Sequence, residues 1–387
     1  MPALTDAVDV RSASGRPPAR RYRFAFVLNT TIGNMTRYAN LRKYAERDAE
    51  VDAHWVPVSI FPRSNEVVLS LLPRTFAMRW RILRQVLPTI VRLGRFDAVM
   101  LHLFEAEVVC AARRYLSRGP ALISSTDEAP VVDRASYPLY PGEQRKSPRR
   151  QDFRLKLDRW RAGRIDAFIP FSAWGGRIFE LGCGVPGERI HPIHVGLDLE
   201  LWKGGGERGP RSGTPRILFV GTDFERKGGP NLLALFERRF SQRAELHIVS
   251  ADAPESLPPG VVAYRNLTPN EPGLVELYGS CDFLVLPSNA DLVPWSVLEA
   301  MSMRLPVIST NVGAVAEMVD DGVTGFVVPP GDSVALDRAI ARLLDDSDLC
   351  RRMGAAGRAR IERDFDAAVN VPRILSIMKA TVDRRER

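Results

Sequence analysis

The chain is predicted to fold as two doubly wound α/β domains facing each other across a cleft, and three observations predict it. Short apolar runs alternate with polar-apolar helical stretches from end to end, the pattern of parallel sheets wrapped by helices. The alternation breaks at 196–214 (GLDLELWKGGGERGPRSGT), where six glycines and a proline rule out a packed helix or central strand. A length of 387 residues suits two domains better than one. The expected division is a disordered tail at 1–20, a first domain at 21–195, a hinge at 196–213, a second domain at 214–368, and a final helix at 369–387 that crosses back to the first domain.

In the first half, Tyr22–Leu28 reads as a strand, Gly33–Asn34 as a turn, and Met35–Glu46 as a helix. Further strands are predicted at Val51–Val58, Ala98–Leu101, Ala121–Ser124 and Ala167–Pro170, with helices at 105–118, 150–163 and 174–181. In the second half, strands are predicted at Arg216–Val220, Glu245–Val249, Val261–Tyr264, Phe283–Leu286, Pro306–Ile308 and Phe326–Val328, with helices at 231–240, 294–303 and 335–345. Two open sheets of this kind bind ligands at the carboxyl ends of their strands, in the cleft between them.

Composition narrows the classes. With 45% hydrophobic and 26% charged residues the chain matches a globular enzyme and excludes collagen-like and disordered types. No apolar run approaches the ~18 residues that span a bilayer. The first twenty residues have no apolar core of a secretory signal. The four cysteines, Cys110, Cys183, Cys281 and Cys350, are too scattered to grip zinc, and the histidines do not cluster, so no metal is expected. They read as reduced packing residues of a cytoplasmic protein. The net charge of +8 is uneven: residues 1–200 hold 31 Lys and Arg against 21 Asp and Glu, whereas the remainder holds 23 against 25. The first half therefore favours an anionic partner.

Two segments carry chemistry. ILFVGTDFERKGGPNLLALF places a strand, a loop with Arg226, Lys227 and two glycines, then a helix. Fixed cations at a strand's carboxyl end suit a diphosphate, and glycines let the backbone come close. In LVLPSNADLVPWSVLEA, Asp291 precedes a helix with Pro294 as its first residue, and Glu299 lies eight positions on. Both carboxylates can accept hydrogen bonds from sugar or ribose hydroxyls.

The stretch LPSNADLVPWSVLEAMSMRLPVISTNVGAVAEMVDDGVTGFVVPPGD resembles glycosyltransferase family 4, the retaining enzymes of the GT-B fold with two Rossmann-like domains. FVGTDFERKGG resembles that family's phosphate loop, and FIPFSAWGGRIFELGCGVPGERIHPIHVGLDLELW the segment leading into its hinge. The resemblance covers most of 22–382. It implies transfer of a sugar from a nucleotide-sugar to an acceptor hydroxyl with retention, in polysaccharide or glycoconjugate biosynthesis, with no metal or other cofactor. It further implies that Glu299 contacts the ribose, Asp291 the donor sugar and Lys227 the diphosphate, while Gly33 lets the amino-terminal loop approach. Departures are present. Asp291 stands where Glu is usual, Val293–Pro294 replaces Phe-Gly, and Thr222 replaces an Arg, which leaves Arg226 as the compensating cation. Asp127 stands where the family's active-site His would fall and can accept a hydrogen bond from a donor hydroxyl. These departures keep open an alternative, a non-catalytic homologue that binds a nucleotide-sugar or a partner transferase.

Gly182, Gly184 and Gly187 match a dinucleotide fingerprint, but they follow a helix rather than a strand and include Pro186, so Gly182 is read as a helix stop. His102 ends a predicted strand, where a core or turn role is the simpler expectation. Two basic stretches are candidates for peripheral contact with an anionic membrane at its inner face. The first, 74–95, places Phe76, Trp80, Leu83, Leu87 and Ile90 on one helical face, with Arg81 and Arg84 on the other side. The second, 145–164, has nine bases against two acids. Neither carries a nucleic-acid module, so no nucleic acid is expected.

Overall fold

The computed structural model describes residues 21–30, 33–59, 74–102, 106–113, 119–126, 148–204 and 213–387. The tail at 1–20, Asp127 and the hinge residues 205–212 lie outside the described residues.

The first sheet comprises β1 (Tyr22–Asn29), β2 (Val51–Val58), β3 (Ala98–Leu101), β4 (Ala121–Ser124) and β5 (Ala167–Phe168), parallel throughout in the order β2-β1-β3-β4-β5. Successive residues of β1 feed two cores. Phe24, Phe26 and Leu28 join one cluster, and Ala25 and Val27 join the other. The first helices are α1 (Gly33–Ala45), α2 (Arg74–Val91), α3 (Ala106–Arg113), α4 (Pro148–Ala162) and α5 (Ala173–Cys183). α1 covers the Phe24 face, and α2 to α5 cover the other.

The second sheet comprises β6 (Arg216–Val220), β7 (Glu245–Val249), β8 (Val261–Tyr264), β9 (Phe283–Leu286), β10 (Val307–Thr310) and β11 (Gly325–Val328). Its order is β11-β10-β9-β6-β7-β8, again parallel. Central runs such as FLVL are apolar at every position because both faces are covered by helices. Those helices are α6 (Gly229–Arg239), α7 (Pro272–Ser280), α8 (Trp295–Ser302), α9 (Val315–Met318), α10 (Ser333–Asp345) and α11 (Ser347–Asp364). A last helix, α12 (Ala367–Glu386), packs Val371, Ile374, Leu375 and Met378 into the Phe24 core of the first sheet. Both sheets reverse direction once, between β1 and β3 and between β6 and β9, and such points are where this architecture opens a crevice.

Four expectations are corrected. Gly33 opens α1 instead of forming a turn with Asn34. Gly182 is buried inside α5, and the left-handed cap is Gly184 (φ 68), whose N–H donates to the Glu180 and Phe179 carbonyls. Pro294 is the residue before α8 rather than its first member. In α2 the buried residues are Ala77, Arg81, Ile82, Val86 and Thr89, so Arg81 faces inward while Trp80, Arg84 and Leu87 face solvent. Gln85 fixes that rotation, accepting from Ser59 N at 3.0 Å and donating to Ser59 O at 2.9 Å. The helices at Pro272–Ser280 and Ser347–Asp364 were not foreseen.

Two chain segments that pass between the sheets lie side by side. Leu197 N donates to Phe365 O at 2.7 Å, and Ala367 N to Leu197 O at 3.0 Å. Gly196 is required there, since a Cβ on it would fall 2.4 Å from Ala367 Cα. α1 braces this junction: Lys43 and Tyr44 donate to Asp198 at 2.6 and 2.8 Å. Burial alone would raise the Asp198 carboxyl, but those two hydrogen bonds outweigh it and hold the group below the usual carboxylate range. Across the cleft, the Glu317 carboxylate accepts the Ala173 and Trp174 N–H groups at the start of α5, at 2.8 and 2.6 Å.

Candidate active site

Two loops meet at the reversal point between β6 and β9. The first follows β6 and holds Gly221 to Gly228. A Cβ on Gly221 would lie 3.0 Å from Lys227 Cγ, so the missing side chain leaves room for the lysine stem. Asp223, in the left-handed region (φ 66), accepts from Arg226 N at 3.1 Å and from Arg226 Nε at 2.8 Å. Gly228 (φ 79) would place a Cβ 2.1 Å from Pro287 O, so only glycine lets this loop press against the end of β9.

The second loop follows β9 and carries Asp291. Gly313 (φ 55) passes beneath it, where a Cβ would lie 2.4 Å from Asp291 O. Arg226 Nη1 donates to Ala290 O at 2.6 Å, and Asn289 N to Arg226 O at 2.9 Å, which ties the two loops together. α8 then begins, and Glu299 lies on its inner side, 5% exposed.

Between the loops is a cavity of about 400 Å³. Arg226, Lys227, Asp291 and Glu299 all line it, together with Gly221, Thr222 and the start of α8 from Pro294 to Ser296. Its other end is formed by Tyr264, Arg265, Leu267 and Leu274. The first domain contributes Asn34, next to Gly33 at the start of α1. Asp127 lies outside the described residues.

Inside the cavity Lys227 Nζ is ion-paired with Asp291 Oδ2, and Leu292 N donates to Asp291 Oδ1 at 3.0 Å. Arg226 lines the wall, but its guanidinium is held by Asp223 and the Ala290 carbonyl, so it fixes loop geometry as well as adding charge. Burial raises the Glu299 carboxyl to about 7, opposed by a hydrogen bond that Tyr278 donates at 2.8 Å. Asp252 props the loop after β6, accepting from Phe224 N at 2.9 Å and from Ser250 Oγ at 2.6 Å. Those hydrogen bonds keep its carboxyl low although burial acts the other way.

Sequence reasoning missed Asn34, Ser250, Tyr264, Arg265 and Tyr278. Ser250 and Arg265 follow β7 and β8 directly, so the rule that ligands gather at strand carboxyl ends was a usable signal for them. Tyr278 had none, because its partner lies 21 positions away on another helix. His102 is buried at the end of β3, with Nε2 3.2 Å from Thr126 Oγ1. Among the described residues no group of three His, Cys, Asp or Glu is placed to hold a metal ion.

The family described as "Glycosyl transferases group 1" matches residues 214–346, within the second half of the chain. The alpha-maltose-1-phosphate synthase of Mycobacterium tuberculosis is 28% identical over 218 residues, 49% of this chain and 56% of that protein. The glycogen synthase of the same organism is 29% identical over 222 residues, 54% of this chain and 53% of that protein. The chain thus spans about half the length of the curated relatives it matches. Among solved structures, sucrose-phosphate synthase from Thermosynechococcus elongatus superposes with a TM-score of 0.75 at 18% identity, covering 93% of this chain and 99% of that one. Anabaena HepE in complex with UDP superposes with a TM-score of 0.68 at 14% identity, covering 92% and 100%. The chain has the GT-B fold.

Proposed function

We propose that the protein is a family 4 glycosyltransferase that moves a sugar from a nucleotide-sugar to an acceptor hydroxyl with retention of configuration. The observation that carries this reading is the convergence of Lys227, from the loop after β6, and Glu299, from α8 after β9, on one cavity at the sheet's reversal point. A nucleoside diphosphate laid across that cavity sets its ribose by Glu299 and its phosphates by Lys227. Asp291 then faces the sugar.

As the bond between the anomeric carbon and the phosphate oxygen breaks, negative charge grows on the diphosphate. Lys227, the loop amides and the start of α8 stabilise it, so no metal ion is needed in this scheme. Lys227 must divide its three donors between phosphate and Asp291. Asp127 is assigned, from the sequence resemblance, to a donor hydroxyl. The reading locates the reaction in the cytoplasm and in polysaccharide or glycoconjugate synthesis, the latter in keeping with relatives such as the glycogen synthase.

A thermal-shift panel of nucleoside diphosphates and their sugars, with and without magnesium, tests it. A ligand at about 100 times its dissociation constant adds about 2.7 kcal/mol, a shift of a few degrees. UDP and UDP-glucose come first. A selective, magnesium-independent shift, weakened by both Lys227→Ala and Glu299→Ala, is expected. Shifts that ignore both substitutions would remove the site assignment.

A further inference from the structure

We infer that the outer face of α2 docks on an anionic lipid bilayer. Three large apolar side chains on it are exposed: Trp80 at 45%, Leu87 at 48% and Val91 at 78%. At ~100° per residue these three and exposed Arg84 fall within about 60° of one another, so they form one stripe along the helix.

The stripe is not a core face displaced by chance. Ile82 and Val86 already occupy the core, and the two hydrogen bonds between Gln85 and Ser59 hold the helix in that rotation. Along the helix itself the charge is of one sign. Residues 74–95 contain six arginines and no Asp or Glu, and Arg79, Arg84, Arg92 and Arg95 are all exposed.

A helix with an aromatic and aliphatic stripe flanked by arginines fits the boundary of a bilayer. The apolar groups enter the acyl region while the guanidinium groups meet lipid phosphates. Charge complementarity selects this occupant over a second copy of the chain. An isologous contact would set one acid-free arginine row against another. α4 packs on the same sheet face as α2 and exposes Phe153 (67%), with Asp152, Lys156 and Arg159 also exposed.

The test is co-sedimentation of the full-length protein with phosphatidylcholine vesicles, with and without phosphatidylserine, at low and high salt. Binding is expected only with phosphatidylserine and should weaken with salt. The double variant Leu87→Glu, Val91→Glu changes two exposed positions, so its melting temperature should match wild type while its vesicle affinity falls at least roughly tenfold. Equal pelleting with neutral vesicles, no pelleting, or undiminished pelleting of the variant would overturn the inference. So would a dimer in sedimentation velocity that the variant dissolves, because the stripe would then belong to a second copy. No donor is present in this assay, so its outcome is independent of the glycosyl-transfer reading.

Discussion

Lys227 and Asp291, 64 positions apart, form an ion pair in the wall of the cavity, and each side chain is only 11% exposed. The lysine read as a phosphate ligand and the carboxylate read as a sugar ligand are thus each other's partner before any donor arrives. Lys227→Met leaves Asp291 with an uncompensated charge and is expected to cost on the order of 3 kcal/mol of stability, as is Asp291→Asn. The double variant should cost clearly less than the sum. Urea unfolding of the four proteins checks this, and strictly additive losses would refute the coupling.

Tyr278 donates to Glu299 at 2.8 Å and is fully buried. It leaves one Glu299 oxygen to face the cavity. Tyr278→Phe keeps the ring and removes the donor. It is expected to raise the KM for the donor by roughly three- to tenfold with kcat nearly unchanged, because the ribose contact is made equally in ground and transition states. Steady-state kinetics over donor concentration decide it, and an equal fall in kcat would count against a positioning role.

The raised Glu299 carboxyl has a stability consequence of definite sign. Its folded value of about 7 lies above the ordinary 4.5, so the folded state holds this proton more tightly than the unfolded state does. Glu299 therefore costs stability progressively as pH rises from 4.5 toward 7, and the full cost is present above that. Glu299→Gln should match wild type near the lower limit and exceed it by on the order of 3 kcal/mol at about pH 8. Denaturant titrations at both pH values test this. A constant offset would show that the carboxyl titrates normally.

Gly228→Ala forces a side chain into Pro287 O and into a left-handed backbone (φ 79). Separation of the loops after β6 and β9 is expected, with a loss of about 2 kcal/mol or more. The donor-induced thermal shift should disappear in the same variant. Calorimetry with and without nucleotide measures both, and a retained shift would mean that the loops close without this contact.

The strands were legible because buried parallel strands are continuous apolar runs; ILFV and FLVL can be little else. The convergence of Lys227 with Glu299 was legible for a related reason, since each follows such a run at its carboxyl end. α2 was misread because it is apolar on two sides, and helical periodicity alone cannot say which side meets the sheet. Hydrogen bonds between Gln85 and Ser59, 26 positions apart, settle it. Ser347–Asp364 escaped notice because its arginines and two glycines obscure a buried face made by Cys350, Met353, Gly354, Gly357 and Ile361. There Gly354 is a contact residue, with the Arg304 carbonyl 2.0 Å from where its Cβ would be. The pairing of Lys227 with Asp291 was beyond local pattern altogether.

Because α12 completes the Phe24 core, the first domain is built from segments that lie on both sides of the second domain in sequence. On a ribosome its sheet emerges before the second domain, yet the helix that completes the cover of one face is translated after that domain. Phe24, Phe26, Met100, Ile123 and Ile169 therefore wait with that face only partly covered, by α1, while the second domain is being made, and an exposed apolar sheet of this kind attracts other chains. Synthesis order thus runs against folding order: the contiguous second domain can close first, and the first domain is finished after it.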